Sequence, residues 1–289
     1  MPRSYSTCFL GILIGFFFTA ESMAQVSVVS TVRPLQFISQ AILLDGDQSY
    51  AIENDSHAAH SITLSPQDRI QLSNADLVLR ISDQFEIYLS EVLQTSTSDH
   101  STITAVDIPG LTLHSQPNGE LDPHLWLDPD NARLIAARLT AELVKIAPNK
   151  AAAYQSRLDA FETRLQAQWQ NLELGNAAEV SYAVYHDAYQ YIEAPMGLSP
   201  AVVLLDNPEV EPGMRDVIAK RQQLEAADPQ CILLEPESEQ GMVDTMLQTL
   251  APKRITIDIL GATIEEGDSA YLNLLNHVTE GFSNCMSAD

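Results

Sequence analysis

An α/β fold, two lobes with parallel sheets joined by one long helix, follows from three features of the sequence. Short apolar, β-rich runs alternate with stretches of helical period, the pattern of parallel sheets covered by helices. Near the middle, Tyr154, Leu158, Phe161, Leu165, Trp169 and Leu172 recur at three- and four-residue steps and make one apolar stripe on a single long helix. The same α/β pattern lies on both sides of that stripe, which fits two linked lobes better than one continuous sheet. With 289 residues, 45% of them hydrophobic and 19% charged, the chain is long enough for real cores.

Taken in order, residues 1–24 read as a cleaved export signal. Arg3 supplies the basic start, Cys8 to Ala20 the apolar stretch, and Ser22-Met23-Ala24 a small-x-small cleavage site. The apolar run is too short to span a bilayer comfortably, and no later segment approaches the ~20 continuous apolar residues of a membrane helix. The mature chain is therefore expected to begin at Gln25. An N-terminal lobe over 25–147 carries strands at Val26 to Ser30 and Ala75 to Ile81. It also carries a helix starting around Pro66 and another bearing Ile135, Leu139, Leu143 and Ile146. The linking helix occupies 148–178, opening near Pro148, a residue tolerated in a first helical turn. A C-terminal lobe over 179–289 carries strands at Ser181 to Tyr185, Ala201 to Leu205, Cys231 to Glu235 and Arg254 to Asp258.

Fifteen Lys and Arg stand against 39 Asp and Glu, a net charge of −24. That balance excludes nucleic acid and anionic membrane surfaces as partners, because both need a basic face, and leaves a cationic ligand compatible. The chain has neither a Gly-x-Gly-x-x-Gly run nor a phosphate loop, so nucleotide binding is unsupported. Once the signal is removed, Cys231 and Cys285 are an even pair in an oxidising compartment, and a disulfide is the expectation. Two separate thiols or a metal pair are the alternatives.

Of seven histidines, three stand where loops can converge. His186 follows the strand Ser181 to Tyr185 and so falls at a carboxyl end, where open α/β sheets place ligands. His124 lies in Asp122-Pro123-His124-Leu125-Trp126-Leu127-Asp128-Pro129, just before a helix, and His60 lies in a polar loop before the helix at Pro66. Asp258 ends the strand Arg254 to Asp258. These four residues recur at nearly even intervals, each about two βα units, which would bring them to one interlobe cleft. Imidazoles with a carboxylate suit zinc better than calcium or magnesium, which prefer oxygen shells. Spacing alone leaves each of them equally readable as a capping or surface residue. His100 reads as a loop residue, His277 as a helix-surface residue, and Trp126 as an apolar wall behind the His124 loop. Glu235, Glu237 and Asp187 are readable either as acceptors that orient a histidine or as solvated carboxylates.

The segment 122–129, His186-Asp187-Ala188-Tyr189, His60 with Ser61-Ile62-Thr63-Leu64-Ser65-Pro66-Gln67-Asp68, and Ala75-Asp76-Leu77-Val78 resemble the zinc and manganese solute-binding proteins of ABC importers, closest to the zinc-uptake, ZnuA-type branch. Asn207-Pro208-Glu209 with Pro212-Gly213, Glu235-Pro236 and Asp258-Ile259-Leu260-Gly261 extend the resemblance over nearly all of the mature chain. It implies two Rossmann-like lobes joined by a rigid helix with a metal in the cleft between them, delivery of Zn2+ from the periplasm to an inner-membrane ABC permease, and a monomer with no enzymatic activity. It places His60, His124 and His186 on the ligand positions, with Asp258 ranked below them, and matches Cys231 and Cys285 to a disulfide of the zinc branch.

The chain departs from the pattern twice. Asp55-Ser56-His57-Ala58-Ala59 replaces the usual small-Ser-Pro run before His60, which leaves His57 as a second-shell or alternative ligand, or a solvated loop residue. The long His-rich loop of many zinc-type members is absent before Asp122, where only His114 occurs, expected as an exposed loop residue. A manganese or iron carrier of the same fold is the nearest rival function. An exported zinc enzyme is the other, although the chain has no His-Glu-x-x-His motif.

Overall fold

Two four-stranded parallel sheets dominate the computed structural model, which describes residues 25–52, 64–89, 92, 101–116, 118–170, 180–200, 202–206 and 210–287. The expected signal peptide, His57, His60, His100, Leu172 and Asn207-Pro208-Glu209 lie outside the described residues. The first sheet contains β1 (Ser27–Ser30), β2 (Gln48–Ala51), β3 (Leu77–Arg80) and β4 (Ser101–Thr104) in the order β2-β1-β3-β4. The second contains β5 (Tyr182–His186), β6 (Val202–Leu205), β7 (Cys231–Leu234) and β8 (Lys253–Thr256), in the equivalent order β6-β5-β7-β8. Helices α1 (Arg33–Ile42), α2 (Pro66–Asn74) and α3 (Pro129–Ile146) belong with the first sheet. A 3-10 turn at Pro148–Lys150 leads into the linking helix α4 (Ala151–Gln170). Helices α5 (Gln190–Met196), α6 (Met214–Ala227), α7 (Gln240–Leu247) and α8 (Ala270–Met286) complete the second half.

The central strands β1, β3, β5 and β7 are buried on both faces, and successive side chains enter different cores because strand side chains alternate. Leu77 and Leu79 of β3, Tyr182 and Val184 of β5, and Cys231 and Leu233 of β7 point into one large core shared with Tyr154, Phe161 and Leu165 of α4. Their neighbours Val78, Ala183, Tyr185, Ile232 and Leu234 pack outward into two smaller clusters, one per sheet. The inner faces of both sheets and the apolar stripe of the linking helix thus share one core, in which that helix packs on α1, α3 and α8, and this is why the stripe is so regular in the sequence.

Local signals set the helix starts. Ser65 and Asp68 form a reciprocal capping box at α2, with Pro66 in its first turn. Asp128 caps α3 by accepting from the Asp130 and Asn131 N–H groups, and Pro129 follows it. Gly261, at φ +70°, sits where any side chain would come within 2.7 Å of Phe37 on α1, so only glycine lets this loop of the second half close on the first.

Cys231 on β7 and Cys285 on α8 form the expected disulfide, with Cα atoms 5.6 Å apart and a sequence separation of 54. Closing a loop of that length contributes about 4 kcal/mol in the chain-entropy treatment. The variant with Ala at both positions is expected to unfold at lower urea, with a loss of about 2 to 4 kcal/mol. An unchanged midpoint would show that the packing of α8 alone anchors it.

Candidate metal site

Two imidazoles meet at the carboxyl end of β5. His186 is the last residue of β5 rather than the one after it. His124 directly precedes the 3-10 turn Leu125–Leu127. Their Nε2 atoms are 3.5 Å apart. Two nitrogens bound at about 2.0–2.1 Å to a tetrahedral ion stand about 3.3–3.4 Å apart, so the pair already has the spacing of two ligands of one zinc.

What aims the two rings is a pair of buried carboxylates. His124 Nδ1 lies 2.7 Å from Asp122 Oδ1, the oxygen that also accepts the His124 backbone N–H at 3.0 Å. His186 Nδ1 lies 2.6 Å from Glu235 Oε1. Asp122 and Glu235 are 0% and 2% exposed, and His124 and His186 2% and 5%. A carboxylate at Nδ1 holds the proton there and turns the Nε2 lone pair toward the ion, the outer-shell arrangement of metal-binding histidines. Glu235 is itself placed by a short turn in which its N–H donates to Ser238 Oγ at 2.8 Å.

The surroundings are anionic. Burial depresses the His186 pKa, but the charges of Glu235, Glu237 and Asp122 overcome it and hold the value above the usual histidine range. Glu237, at the rim, is pushed up to about 7 by desolvation and by the charge of Glu235. Asp187 is raised first by burial and then by Asp122. A site with this surplus of negative charge favours a cation.

The residues singled out in the sequence divide here. Trp126 is fully buried, as expected of a wall, and it does more. Its ring stands edge-on to His124 with centroids 5.3 Å apart, and its indole N–H donates to the Ile259 carbonyl at 3.1 Å. Asp258 lies two residues beyond β8, and its carboxylate is engaged by its own loop. Oδ1 accepts from the Leu260 and Gly261 N–H groups at 3.1 and 2.8 Å, and Oδ2 from Thr263 at 3.4 Å. The structure does not bring Asp258 to the two histidines, and no group of three or more His, Cys, Asp or Glu among the described residues is arranged to hold an ion. His277, expected on a helix surface, is half-buried, and its Nε2 accepts the Asp258 N–H at 3.1 Å. His114 is half-buried rather than exposed, with its ring edge-on to Tyr191.

Sequence reasoning gave no role to Asp122 and left that of Glu235 open. Asp122 carried a signal, an aspartate two residues before a candidate ligand, where a carboxylate readily accepts the N–H two positions on. Glu235 belongs to a different strand from His186, and no local pattern ties the two.

The family profile described as "Zinc-uptake complex component A periplasmic" matches residues 28–285. The high-affinity zinc uptake system protein ZnuA of Yersinia pestis is 26% identical over 295 residues, covering 92% of each chain. A ZnuA crystal structure superposes with a TM-score of 0.78 at 19% identity, covering 91% of this chain and 100% of that one. The solute-binding protein FpvC of Pseudomonas aeruginosa, in complex with Mn2+, also superposes with a TM-score of 0.78, at 18% identity, covering 91% of this chain and 98% of that one. With a match over nearly the whole span of both sheets, and two carboxylate-backed imidazoles at the spacing of zinc ligands between them, the chain belongs to the ZnuA family of zinc-uptake components.

Proposed function

We propose that this protein is a periplasmic carrier that binds one Zn2+ between its lobes and delivers it to an inner-membrane ABC permease. The observation that carries the reading is the pair of Nε2 atoms 3.5 Å apart, each backed by its own buried carboxylate. His124 and His186 supply two ligands and His60 the third. Asp258 is left to organise its own loop. The chain travels with residues 1–24 as a cleaved signal and works as a monomer without catalytic activity. Its lobes follow the boundaries 25–147 and 179–289 with the linker between.

The test is metal titration of the chelator-stripped chain, with zinc against manganese. One zinc per chain, bound tighter than about micromolar and in preference to manganese, is expected. Tight manganese with weak zinc would move the protein to a manganese-carrying role, which the FpvC likeness in fold accommodates. Zinc and a proton compete for His186, so affinity is full above the folded-state pKa of that group and declines as pH falls through it. Because Glu235 holds that pKa up, the decline should begin above the usual histidine range in the native chain and shift to lower pH in Glu235→Gln.

The carboxylates carry a prediction of their own. Asp122→Ala and Glu235→Ala should each weaken zinc about 10- to 100-fold, because the ring loses the partner that fixes its tautomer and direction. Competition against a chelating dye reads the change. Unaltered affinity in both variants would show that the rings are held by packing alone.

A further inference from the structure

We propose that Tyr191 is a positioning residue for metal binding, its hydroxyl tying the segment that carries His124 to the helix that follows His186; the assignment rests on the carrier reading above. Tyr191 lies on α5, five residues after His186, and is fully buried. Its hydroxyl accepts the His114 backbone N–H at 3.0 Å and donates to the Asp122 carbonyl at 2.9 Å. Those two residues are the facing arms of a small hairpin, closed by the Asp122 N–H to His114 carbonyl bond at 3.0 Å and by the bridge between Ser115 and Leu121. Asp122 is also the residue whose side chain aims His124.

One phenol from the C-terminal half thus holds both arms of the loop that sets a ligand in the N-terminal half. The His114 ring, edge-on at 4.7 Å, covers the same phenol. Burial pushes the Tyr191 pKa up to about 12, so the hydroxyl keeps the proton it donates to Asp122. The turn Leu125–Leu127 also packs on α5, and the Tyr191 hydroxyl adds to that packing two hydrogen bonds that hold the backbone on both arms of the hairpin. Through Asp122, this link acts on the separation of the two imidazoles alongside the carboxylates.

Tyr191→Phe keeps the ring and removes only the hydroxyl. The matched control is Tyr182→Phe, which removes a buried hydroxyl donating to Glu193 at 2.7 Å, in the same half and away from the ligand loop. Both variants should lower the melting temperature of the metal-free chain. Only Tyr191→Phe should weaken zinc, by about 10-fold, the low end of outer-shell effects, and change the visible absorption of the Co2+-substituted protein, which reports ligand geometry. Native zinc affinity and an unaltered cobalt spectrum in Tyr191→Phe would overturn the proposal and leave the tyrosine a packing residue. Failure of the wild-type chain to bind zinc would instead overturn the carrier reading, and this assignment with it.

Discussion

Alanine at His124 or at His186 is expected to lower zinc affinity by about 100- to 1000-fold. Apparent binding free energies of about 10–16 kcal/mol for zinc in four-ligand sites put roughly 3 to 4 kcal/mol on each ligand, and 1.4 kcal/mol is a factor of ten. Each substitution also leaves a buried carboxylate, Asp122 or Glu235, without the ring it was placed against. Isothermal titration of each stripped variant reads the loss, with His60→Ala beside them as the test of the third ligand. Asp258→Asn should retain affinity within a few-fold, since its carboxylate serves the loop 258–263. A collapse of binding in Asp258→Asn with His124→Ala near native would reverse the assignment of ligands made here.

The largest loss of stability is expected from Asp47→Ala. Asp47 lies in the loop after α1, and its carboxylate accepts four hydrogen bonds. They come from Lys150 Nζ at 2.7 Å, Tyr154 hydroxyl at 2.8 Å, and the Val26 and Leu44 N–H groups at 3.1 Å each. The Lys150 side chain is 4% exposed and that of Asp47 0%. Burial works against the charge on Asp47, yet Lys150, Val26, Tyr154 and Leu44 together hold its pKa below the usual carboxylate range. Removing the carboxylate strands a buried ammonium, which costs about 3 to 5 kcal/mol. Urea unfolding at neutral pH measures it, and a loss under about 1 kcal/mol would mean that water replaces the carboxylate without penalty. The sign with pH follows from the depressed value. The contribution of Asp47 is present above the unfolded carboxylate pKa and is lost as pH falls through the folded one, so acid should erode the difference between wild type and variant.

That cluster marks how far the sequence could be read. Six of the eight strands among the described residues were visible as apolar runs, including all four of the second sheet. β2 and β4 were not, and they are the two edges of the first sheet. Their sequences, Gln48–Ala51 and Ser101–Thr104, are mostly polar, and most of their positions are exposed or only half-buried. The linking helix was legible because its apolar stripe faces a core shared by both sheets, which leaves a strict period in the residues. Its first turn is a 3-10 turn at Pro148, so the regular helix begins at Ala151.

The segment 122–129 was legible as a unit because its jobs are local. Asp122 takes the N–H two residues on, His124 turns its Nε2 toward that of His186, and Asp128 caps the next helix. The disulfide was legible too, since after the signal only two cysteines remain. Partners distant in sequence were not. Glu235 behind His186, Tyr191 on the Asp122 hairpin and Lys150 on Asp47 leave no periodicity, because each contact depends on how separate βα units come to lie side by side. Asp258 shows the converse. Its place near a strand end suggested a ligand, and only the folded loop, with three N–H groups already pointed at the carboxylate, assigned it a different partner. By itself the sequence determined the alternation of elements, the long helix and the crosslink, which rest on local pattern or simple counting, and it marked His124 and His186 through the motifs that carry the family resemblance. The tertiary structure alone decided which carboxylates aim the imidazoles and which serve their own loops, because a carboxylate binds whichever donors packing brings within hydrogen-bond reach.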